Sequence, residues 1–163
     1  MMRPLEIQIV PFDQLKDSSK RRETIANWIY NEFIHNIRSG ITYEDIYNRF
    51  TGFRPDRLPI RYVALNLENG ACVGTVSLVQ NDLKCRDYGP WLSSLVVHQA
   101  YRNQGIGKQL IERVKDQAWS LTYEKLYLRT ETAGGYYRKL GWLFLEQCVD
   151  EFGLEPEVFY WPK

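Results

Sequence analysis

Cysteine and histidine are scarce in this sequence. The chain of 163 residues holds three cysteines, Cys72, Cys85 and Cys148, and two histidines, His35 and His98. The odd number and wide spacing of the cysteines argue against a disulfide framework. Neither residue type forms a cluster with the spacing of metal ligands, so we expect no metal site. Free cysteines fit a reducing compartment best.

The sequence also lacks a long apolar segment and an excess of charge of either sign. No apolar run approaches membrane-spanning length, and residues 1–12 do not resemble a signal peptide. The net charge is +1, so no strong field would draw the chain to nucleic acid or an anionic membrane. The basic stretch of Lys16, Lys20, Arg21 and Arg22 is interpreted as the solvated start of a helix rather than a functional patch. We therefore expect a cytoplasmic protein that binds neither nucleic acid nor membrane.

The length and composition are those of one folded domain, which we place at residues 1–163. Apolar residues make up 44% and charged residues 25%, as in ordinary globular proteins. Hydrophobic periodicity predicts the element order β-α-α-β-β-β-α-β-α-β-β. We expect an α/β fold with a mixed, mostly antiparallel central sheet of about seven strands and helices on both faces. The predicted strands lie at 5–10, 60–67, 72–80, 92–97, 125–130, 142–149 and 158–161, and the predicted helices at 18–35, 42–50, 105–118 and 136–140.

Local signals mark the ends of several elements. Thr42 followed by Asp45 resembles a capping box for the second helix, which Gly52 and Pro55 close. The Asn69-Gly70 step favours positive φ and predicts a hairpin turn. The first helix is predicted to bury one stripe, formed by Ile25, Trp28, Ile29 and Phe33.

A glycine-containing turn between a buried strand and a helix is the most informative segment. It runs from Val96 to Lys108 and contains Gly105 and Gly107. The first turn of a helix leaves backbone N–H groups without partners, and the helix dipole adds positive potential there. A phosphate or pyrophosphate can bind at such an end, and the missing Cβ atoms let it approach the backbone. The alternative is a tight strand-to-helix turn that binds no ligand.

The spacing of this turn differs from two common phosphate-binding motifs. A P-loop has a glycine five residues before its Gly-Lys pair and a Ser or Thr after the pair. Those positions hold Arg102 and Gln109 here. A dinucleotide fingerprint needs a third glycine where Leu110 stands, and a second βαβ unit. A nucleotide-binding protein of another fold is therefore disfavoured.

The same residues resemble the central motif of the GNAT superfamily, the acyl-CoA-dependent N-acetyltransferases. That motif is Arg/Gln-x-x-Gly-x-Gly/Ala between a strand and a long helix, and the chain has Arg102-Asn103-Gln104-Gly105-Ile106-Gly107. Downstream, Leu126 to Thr130 looks like the next strand of the family. Tyr136 to Trp142 is similar to its aromatic-Tyr-x-x-x-Gly-aromatic segment, and Gly134-Gly135 stands before it.

The resemblance implies an N-acetyltransferase that moves the acetyl group of acetyl-CoA to a primary amine by direct attack in a ternary complex. The amides of the turn would hold the CoA pyrophosphate, and the edge of the preceding strand would bind the pantetheine arm as an added strand would. That strand and the next would splay apart to admit the co-substrate. Tyr137 stands where the family has its general acid. Either Tyr136 or Tyr137 must pack between helix and sheet, because adjacent helix residues point in different directions, and we expect Tyr136 to take that role. The implied cofactor-binding residues are Leu95, Val96, Val97, Arg102, Asn103, Gln104, Gly105, Ile106, Gly107 and Lys108.

The general base and the acceptor stay open at this stage. Asp82, Asp87, Glu131 and Ser94 all fit the role of base by their rough position, as does a water chain. The acceptor is expected to be an amine on a small molecule or a peptide. A non-catalytic acyl-CoA-binding regulatory module is the alternative to an enzyme. The final strand pair could support a homodimer.

Overall fold

A computed structural model describes residues 3–15, 18–37, 39–50 and 56–163. The strands are β1 (Ile7–Pro11), β2 (Ile60–Asn66), β3 (Cys72–Val79), β4 (Trp91–Val97), β5 (Lys125–Thr130), β6 (Leu143–Gln147) and β7 (Glu157–Pro162). The α-helices are α1 (Ser18–Ile29), α2 (Tyr43–Asn48), α3 (Ile106–Ser120) and α4 (Gly134–Lys139). Three residues named above, Lys16, Gly52 and Pro55, lie outside the described ranges.

The strands form one sheet in the order β1-β2-β3-β4-β5-β7-β6. The parallel pair is β4 and β5, and every other neighbouring pair in the described residues is antiparallel. A parallel pair cannot be joined by a hairpin, and α3 supplies the crossover between these two strands. The predicted mixed, mostly antiparallel sheet of seven strands is confirmed.

Helices cover both faces of the sheet, because each face carries apolar side chains that must be removed from water. On one face, Ile25 of α1 and Ile46 of α2 pack with Val63 of β2. On the other face, Leu110 of α3 belongs to a cluster that also holds Tyr137 of α4. Helices on both faces are therefore confirmed. None of the helices in the described ranges is both long and apolar enough to cross a lipid bilayer.

The buried stripe predicted for the first helix is correct only in part. Ile25 and Ile29 are buried and Trp28 is partly buried, but Phe33 is 39% exposed. The chain leaves the α-helix after Ile29 and continues as a π-helical turn, Tyr30–Ile34. The wider turn holds an extra residue, which rotates later side chains by about 100° relative to an α-helix. The prediction for Phe33 was wrong because it assumed uninterrupted α-helical spacing.

Two turn-level predictions are confirmed. The Asp45 amide donates a hydrogen bond to Thr42 Oγ1 at 3.1 Å, and the Thr42 amide donates to Asp45 Oδ2 at 2.8 Å, which completes the capping box of α2. Gly70 adopts a φ of +71° in the turn between β2 and β3. Both features depend on residues that are neighbours in sequence, so local patterns are sufficient to predict them.

The fourth helix begins earlier than predicted, at Gly134. A Cβ atom at this position would lie 2.3 Å from Oε1 of Glu157 on β7. The same carboxylate accepts a hydrogen bond from Arg138 Nη2 at 2.9 Å. Glycine at position 134 therefore lets α4 approach β7 closely, which outweighs its low helix propensity.

Candidate active site

The parallel strands β4 and β5 contact each other at one end only. Their register consists of the pair Trp91 and Tyr127. The Tyr127 amide also donates to the Pro90 carbonyl at 3.0 Å. Beyond this pair, the edge of β4 that faces β5 has no strand partner among the described residues. This gap is the splay that the family resemblance implies.

Aromatic side chains close the narrow end of the gap. The Tyr88 ring stacks on Trp91, with centroids 5.3 Å apart, and lies 4.5 Å from the Tyr127 ring. Glu146 of β6 anchors the loop between β3 and β4, because its Oε2 accepts hydrogen bonds from Tyr88 Oη at 2.7 Å and from Arg86 Nε at 3.0 Å. These hydrogen bonds, with Arg86 first, lower the pKa of the Glu146 carboxyl to about 2.

A β-bulge interrupts β4 beside the gap. Ser77 of β3 lies opposite Ser93, and Thr75 lies opposite Val96, so β4 contains one residue more than β3 over this interval. Ser94 within the bulge has a φ of +55°. A bulge re-aims side chains and leaves a backbone group unpaired. The bulge therefore leaves Ser94 and Leu95 without register partners on β3.

The backbone groups of the last β4 residues divide between β3 and the gap. The His98 amide donates to the Val73 carbonyl of β3 at 2.9 Å, and Val96 lies opposite Thr75 of the same strand. Because backbone groups alternate in direction along a strand, those of Leu95 and Val97 face the gap. The Val97 carbonyl accepts a hydrogen bond from Arg102 Nε at 2.9 Å. Toward the gap, Leu95 therefore has a free amide and a free carbonyl, and Val97 has a free amide.

The start of α3 presents backbone amides without partners. The first backbone hydrogen bond of this helix runs from the Gln109 amide to the Gly105 carbonyl, at 3.1 Å. The amides from Asn103 to Lys108 have no acceptor in the described part of the chain. Asn103 and Gly105 adopt φ values of +63° and +79°, which turn the chain into the helix. The side chains of Arg102 and Lys108 are exposed and add positive charge to this end of the helix.

The two glycines of the turn have different surroundings. A Cβ atom at Gly105 would meet no atom within 4 Å. A Cβ atom at Gly107 would lie 3.1 Å from the Tyr136 hydroxyl and 3.7 Å from Val97 Cγ2. The fourth helix therefore lies beside the glycine turn, and the space next to Gly105 is open to an approaching anion.

The two tyrosines of α4 have different surroundings. Tyr136 is 44% exposed, with its hydroxyl over Gly107, whereas Tyr137 is 8% exposed. The Tyr137 ring packs at a centroid distance of 6.0 Å from Trp142 and 6.4 Å from Phe159. Burial raises the pKa of the Tyr137 hydroxyl well above its ordinary value. The packing role expected of Tyr136 thus falls to the Tyr137 ring.

The Tyr137 hydroxyl has no hydrogen-bond partner among the described residues. It is also not one of their enclosed, unpartnered side-chain atoms, which are Arg22 Nε and Trp142 Nε1. A hydroxyl that is neither bonded nor enclosed must reach accessible space. The hydroxyl is thus not fully enclosed, and its raised pKa keeps the phenol protonated at neutral pH.

Asp82 and two serines of the bulged strand form a hydrogen-bonded group. Ser93 Oγ donates to Asp82 Oδ1 at 3.0 Å, and Ser93 Oγ lies 3.3 Å from Ser94 Oγ. Burial raises the pKa of the Asp82 carboxyl to about 6, against the opposing effects of the Ser93 hydrogen bond and of Arg129 and Arg49. A carboxyl with such a pKa changes protonation state near neutral pH.

The other base candidates are placed differently. Glu131 accepts a hydrogen bond from Arg129 Nη2 at 2.7 Å, and the same nitrogen bonds Asp150. Asp87 is exposed, and no hydrogen bond to it is found within the described ranges. No set of three or more metal-ligating side chains comes together in the part of the chain that the structure describes. The structure therefore brings Asp82 and Ser94 together and leaves Asp87 apart.

Sequence reasoning missed two features of this site. Ser93 was not singled out, although Ser93-Ser94 is a polar pair inside the otherwise apolar strand Trp91–Val97. That interruption was the available signal. The clamp of Arg86 and Tyr88 on Glu146 has no sequence signal, because the partners are 60 and 58 residues apart.

The sequence matches a known protein family, and the fold matches known structures. The family model described as the acetyltransferase (GNAT) family matches residues 23–142. An acetyltransferase of the GNAT family from Staphylococcus aureus Mu50 is 19% identical, with a TM-score of 0.69 over 96% of this chain and 99% of that one. No curated protein sequence matches the chain significantly.

Two further solved structures share the fold. An aminoglycoside 6′-N-acetyltransferase in complex with coenzyme A is 14% identical, with a TM-score of 0.71 over 95% of this chain and 96% of that one. A variant of spermidine N-acetyltransferase from Vibrio cholerae is 18% identical, with a TM-score of 0.68 over 96% of this chain and 93% of that one. Identities this low establish a common fold. Together with the family model, which covers most of the sequence, they show that the chain belongs to the GNAT family of acetyltransferases.

Proposed function

We propose that this protein is an N-acetyltransferase that transfers the acetyl group of acetyl-CoA to a primary amine in a ternary complex. The observation that carries the proposal is the row of unpartnered amides at the start of α3, next to the open edge of β4. The first feature suits a pyrophosphate and the second suits an amide-containing arm. Coenzyme A contains both, joined in one molecule.

Binding follows from these two surfaces. The amides of Gln104 to Lys108 would donate to the pyrophosphate oxygens, helped by the helix dipole. The backbone groups of Leu95 and the Val97 amide would bond the pantetheine arm as an added strand would. Arg102 would act mainly by fixing the end of β4, since its Nε already bonds the Val97 carbonyl. The Val96 backbone faces β3, so this residue contributes packing rather than a bond to the arm.

Tyr137 is the proposed general acid. The thioester carbonyl gains negative charge when the amine attacks, and an amide freed by the β4 bulge would stabilise it. The departing thiolate then needs a proton. The Tyr137 hydroxyl has no partner among the described residues and is not fully enclosed, and its raised pKa keeps it protonated at neutral pH. A phenol in that state can donate the proton.

The acceptor is proposed only as a class, a primary amine on a small molecule or peptide. The solved structures named for aminoglycoside and spermidine acetylation share the fold at 14% and 18% identity, which does not transfer their substrates. A homodimer through β6 also stays a prediction. Leu143, Phe144 and Leu145 on this outer strand are exposed and suit such a contact. A cytoplasmic location remains the expectation from sequence.

A thermal-shift measurement tests the first half of the proposal. A ligand present at a concentration of 100 Kd stabilises the folded state by about 2.7 kcal/mol, which corresponds to roughly 5–11 °C for a domain of this size. We expect this shift with acetyl-CoA and none with ATP or NAD at the same concentration. Protection by ATP or NAD alone would contradict the proposal.

An amine panel tests the second half. Release of free CoA thiol is measured with spermidine, an aminoglycoside, a lysine-containing peptide and a peptide with a free N-terminus. We expect turnover with at least one amine. Tight binding of acetyl-CoA without turnover on any of them would instead favour the non-catalytic binding module.

A further inference from the structure

A chain of hydroxyl groups leads from the β4 bulge to a carboxylate. Ser94 lies in the β4 bulge, and its Oγ is 3.3 Å from Ser93 Oγ. Ser93 in turn donates to Asp82 Oδ1 at 3.0 Å. The Ser93 hydroxyl has one proton, which it gives to the carboxylate, so the hydrogen bond between the serines must run from Ser94 to Ser93. Both hydrogen bonds therefore run in the same direction, from Ser94 through Ser93 to Asp82.

Ser93, the middle group of this chain, lies on the face of the sheet opposite the proposed acid. Leu92 packs in the cluster that contains Tyr137, on the side of α3 and α4. Ser93 is the next residue, so its side chain points to the α1 and α2 side. Its neighbour across the strands, Ser77, accepts a hydrogen bond from Arg61 on that side. An amine that enters from this side would meet the hydroxyl chain, while a thioester on the other side would meet Tyr137.

We propose that Ser94, Ser93 and Asp82 form a proton relay that removes a proton from the acceptor amine, an inference that rests on the proposed acetyltransferase function. One N–H bond of the ammonium group breaks, and Ser94 Oγ takes that proton. The Ser94 proton passes to Ser93 Oγ, and the Ser93 proton passes to Asp82 Oδ1. The amine keeps the electron pair for attack on the thioester, and Asp82 becomes a neutral carboxylic acid.

The charges around Asp82 suit this role. Arg129, which donates to the Asp82 carbonyl at 3.4 Å, is shared with Glu131 and Asp150. Arg49 lowers the pKa of the Asp82 carboxyl and Glu131 raises it, while burial is the largest effect and brings it to about 6. Arg61, on β2, also interacts with Asp82. The carboxyl is therefore ionised and ready to accept a proton above about pH 6.

Asp82→Asn tests the relay, with Asp87→Asn as the matched control. The two aspartates lie in the same loop, but Asp87 is exposed and outside the hydrogen-bonded chain. We measure kcat at saturating amine from pH 5 to pH 9, using the amine of the panel that the wild type turns over fastest. The wild type should show an inflection near pH 6. Asp82→Asn should lower kcat about 100-fold at neutral pH and abolish the inflection, while Asp87→Asn should change neither.

Ser93→Ala provides a second test that leaves the carboxylate in place. We expect a loss similar to that of Asp82→Asn, and no further loss in the double variant, because both changes interrupt one path. Calorimetry with acetyl-CoA should give unchanged affinity for each variant, which shows that the fold and the co-substrate site are intact.

The outcomes separate the relay from the function on which it rests. A wild type that acetylates no amine overturns the proposed function and the relay together. An active wild type overturns the relay alone if Asp82→Asn keeps its rate and its inflection, or if the losses of the two single variants multiply in the double variant.

Discussion

Replacement of Gly105 by alanine separates backbone strain from ligand crowding. Gly105 has a φ of +79°, and a Cβ atom there meets no atom within 4 Å. An alanine in the left-handed region costs about 1 kcal/mol of folding free energy. For a domain of this length, that lowers the melting temperature by about 2–4 °C. In the free protein no steric effect is added, because the Cβ position is empty.

Gly153 supplies a control with the same backbone geometry. Its φ is +77°, and a Cβ atom there also meets no atom within 4 Å, but it lies in the loop between β6 and β7. Gly153→Ala and Gly105→Ala should therefore destabilise the protein equally. The two variants should differ only toward ligands that approach the turn before α3.

The affinity for acetyl-CoA distinguishes the two variants. A methyl group at position 105 would displace the pyrophosphate from at least one charge-assisted hydrogen bond, worth about 1.5–3 kcal/mol. Calorimetry should show a Kd raised roughly 10- to 100-fold for Gly105→Ala and unchanged for Gly153→Ala. If both variants bind acetyl-CoA as the wild type does, the pyrophosphate does not sit on these amides and the reasoning fails.

Two further predictions concern side chains around the gap. Tyr137→Phe should lower kcat about 100-fold and leave the melting temperature within a few degrees of the wild-type value. The control variant Tyr136→Phe should keep most of the activity. If Tyr137→Phe has the wild-type rate at every pH, the general acid is another group. Glu146→Gln should destabilise the protein by about 1.5 kcal/mol at pH 7, because Arg86 and Tyr88 lose a charged acceptor. The folded-state pKa of Glu146, about 2, is below its unfolded value, so its stabilisation is present above about pH 4.5 and disappears as pH falls toward 2. Urea unfolding at both ends of this range measures the difference, and an equal deficit at pH 7 and pH 2.5 would contradict this account.

The sequence was sufficient wherever structure depends on near neighbours. The capping box of Thr42 and Asp45, the Gly70 turn and the order of elements all follow from local rules. The glycine turn also pointed to the start of α3, since helix geometry leaves amides free whatever the tertiary context. Phe33 escaped prediction because a π turn leaves no periodic signature in so short a segment.

The arrangement across the gap required the structure. Asp82 lies in the loop between β3 and β4, and Ser93 lies 11 residues later in β4. Their hydrogen bond forms because the loop folds back over this strand, which no periodic pattern encodes. The contrast between Tyr136 and Tyr137 depends on how α4 is rotated against the sheet, where Gly134 lies close to Glu157 of β7. Sequence patterns can therefore nominate such residues, and tertiary packing decides which of them meet.

The single pairing between Trp91 and Tyr127 divides the sheet into two blocks, β1–β4 and β5–β7, joined at one corner. A molecule lying along the free margin of β4 takes the place of a missing strand, so its binding energy also contributes to the cohesion of the two blocks. Occupancy of this cleft and resistance to unfolding are then linked quantities. Amide hydrogens of Leu95 and Val97 would report that linkage directly, by exchanging more slowly once the margin is filled.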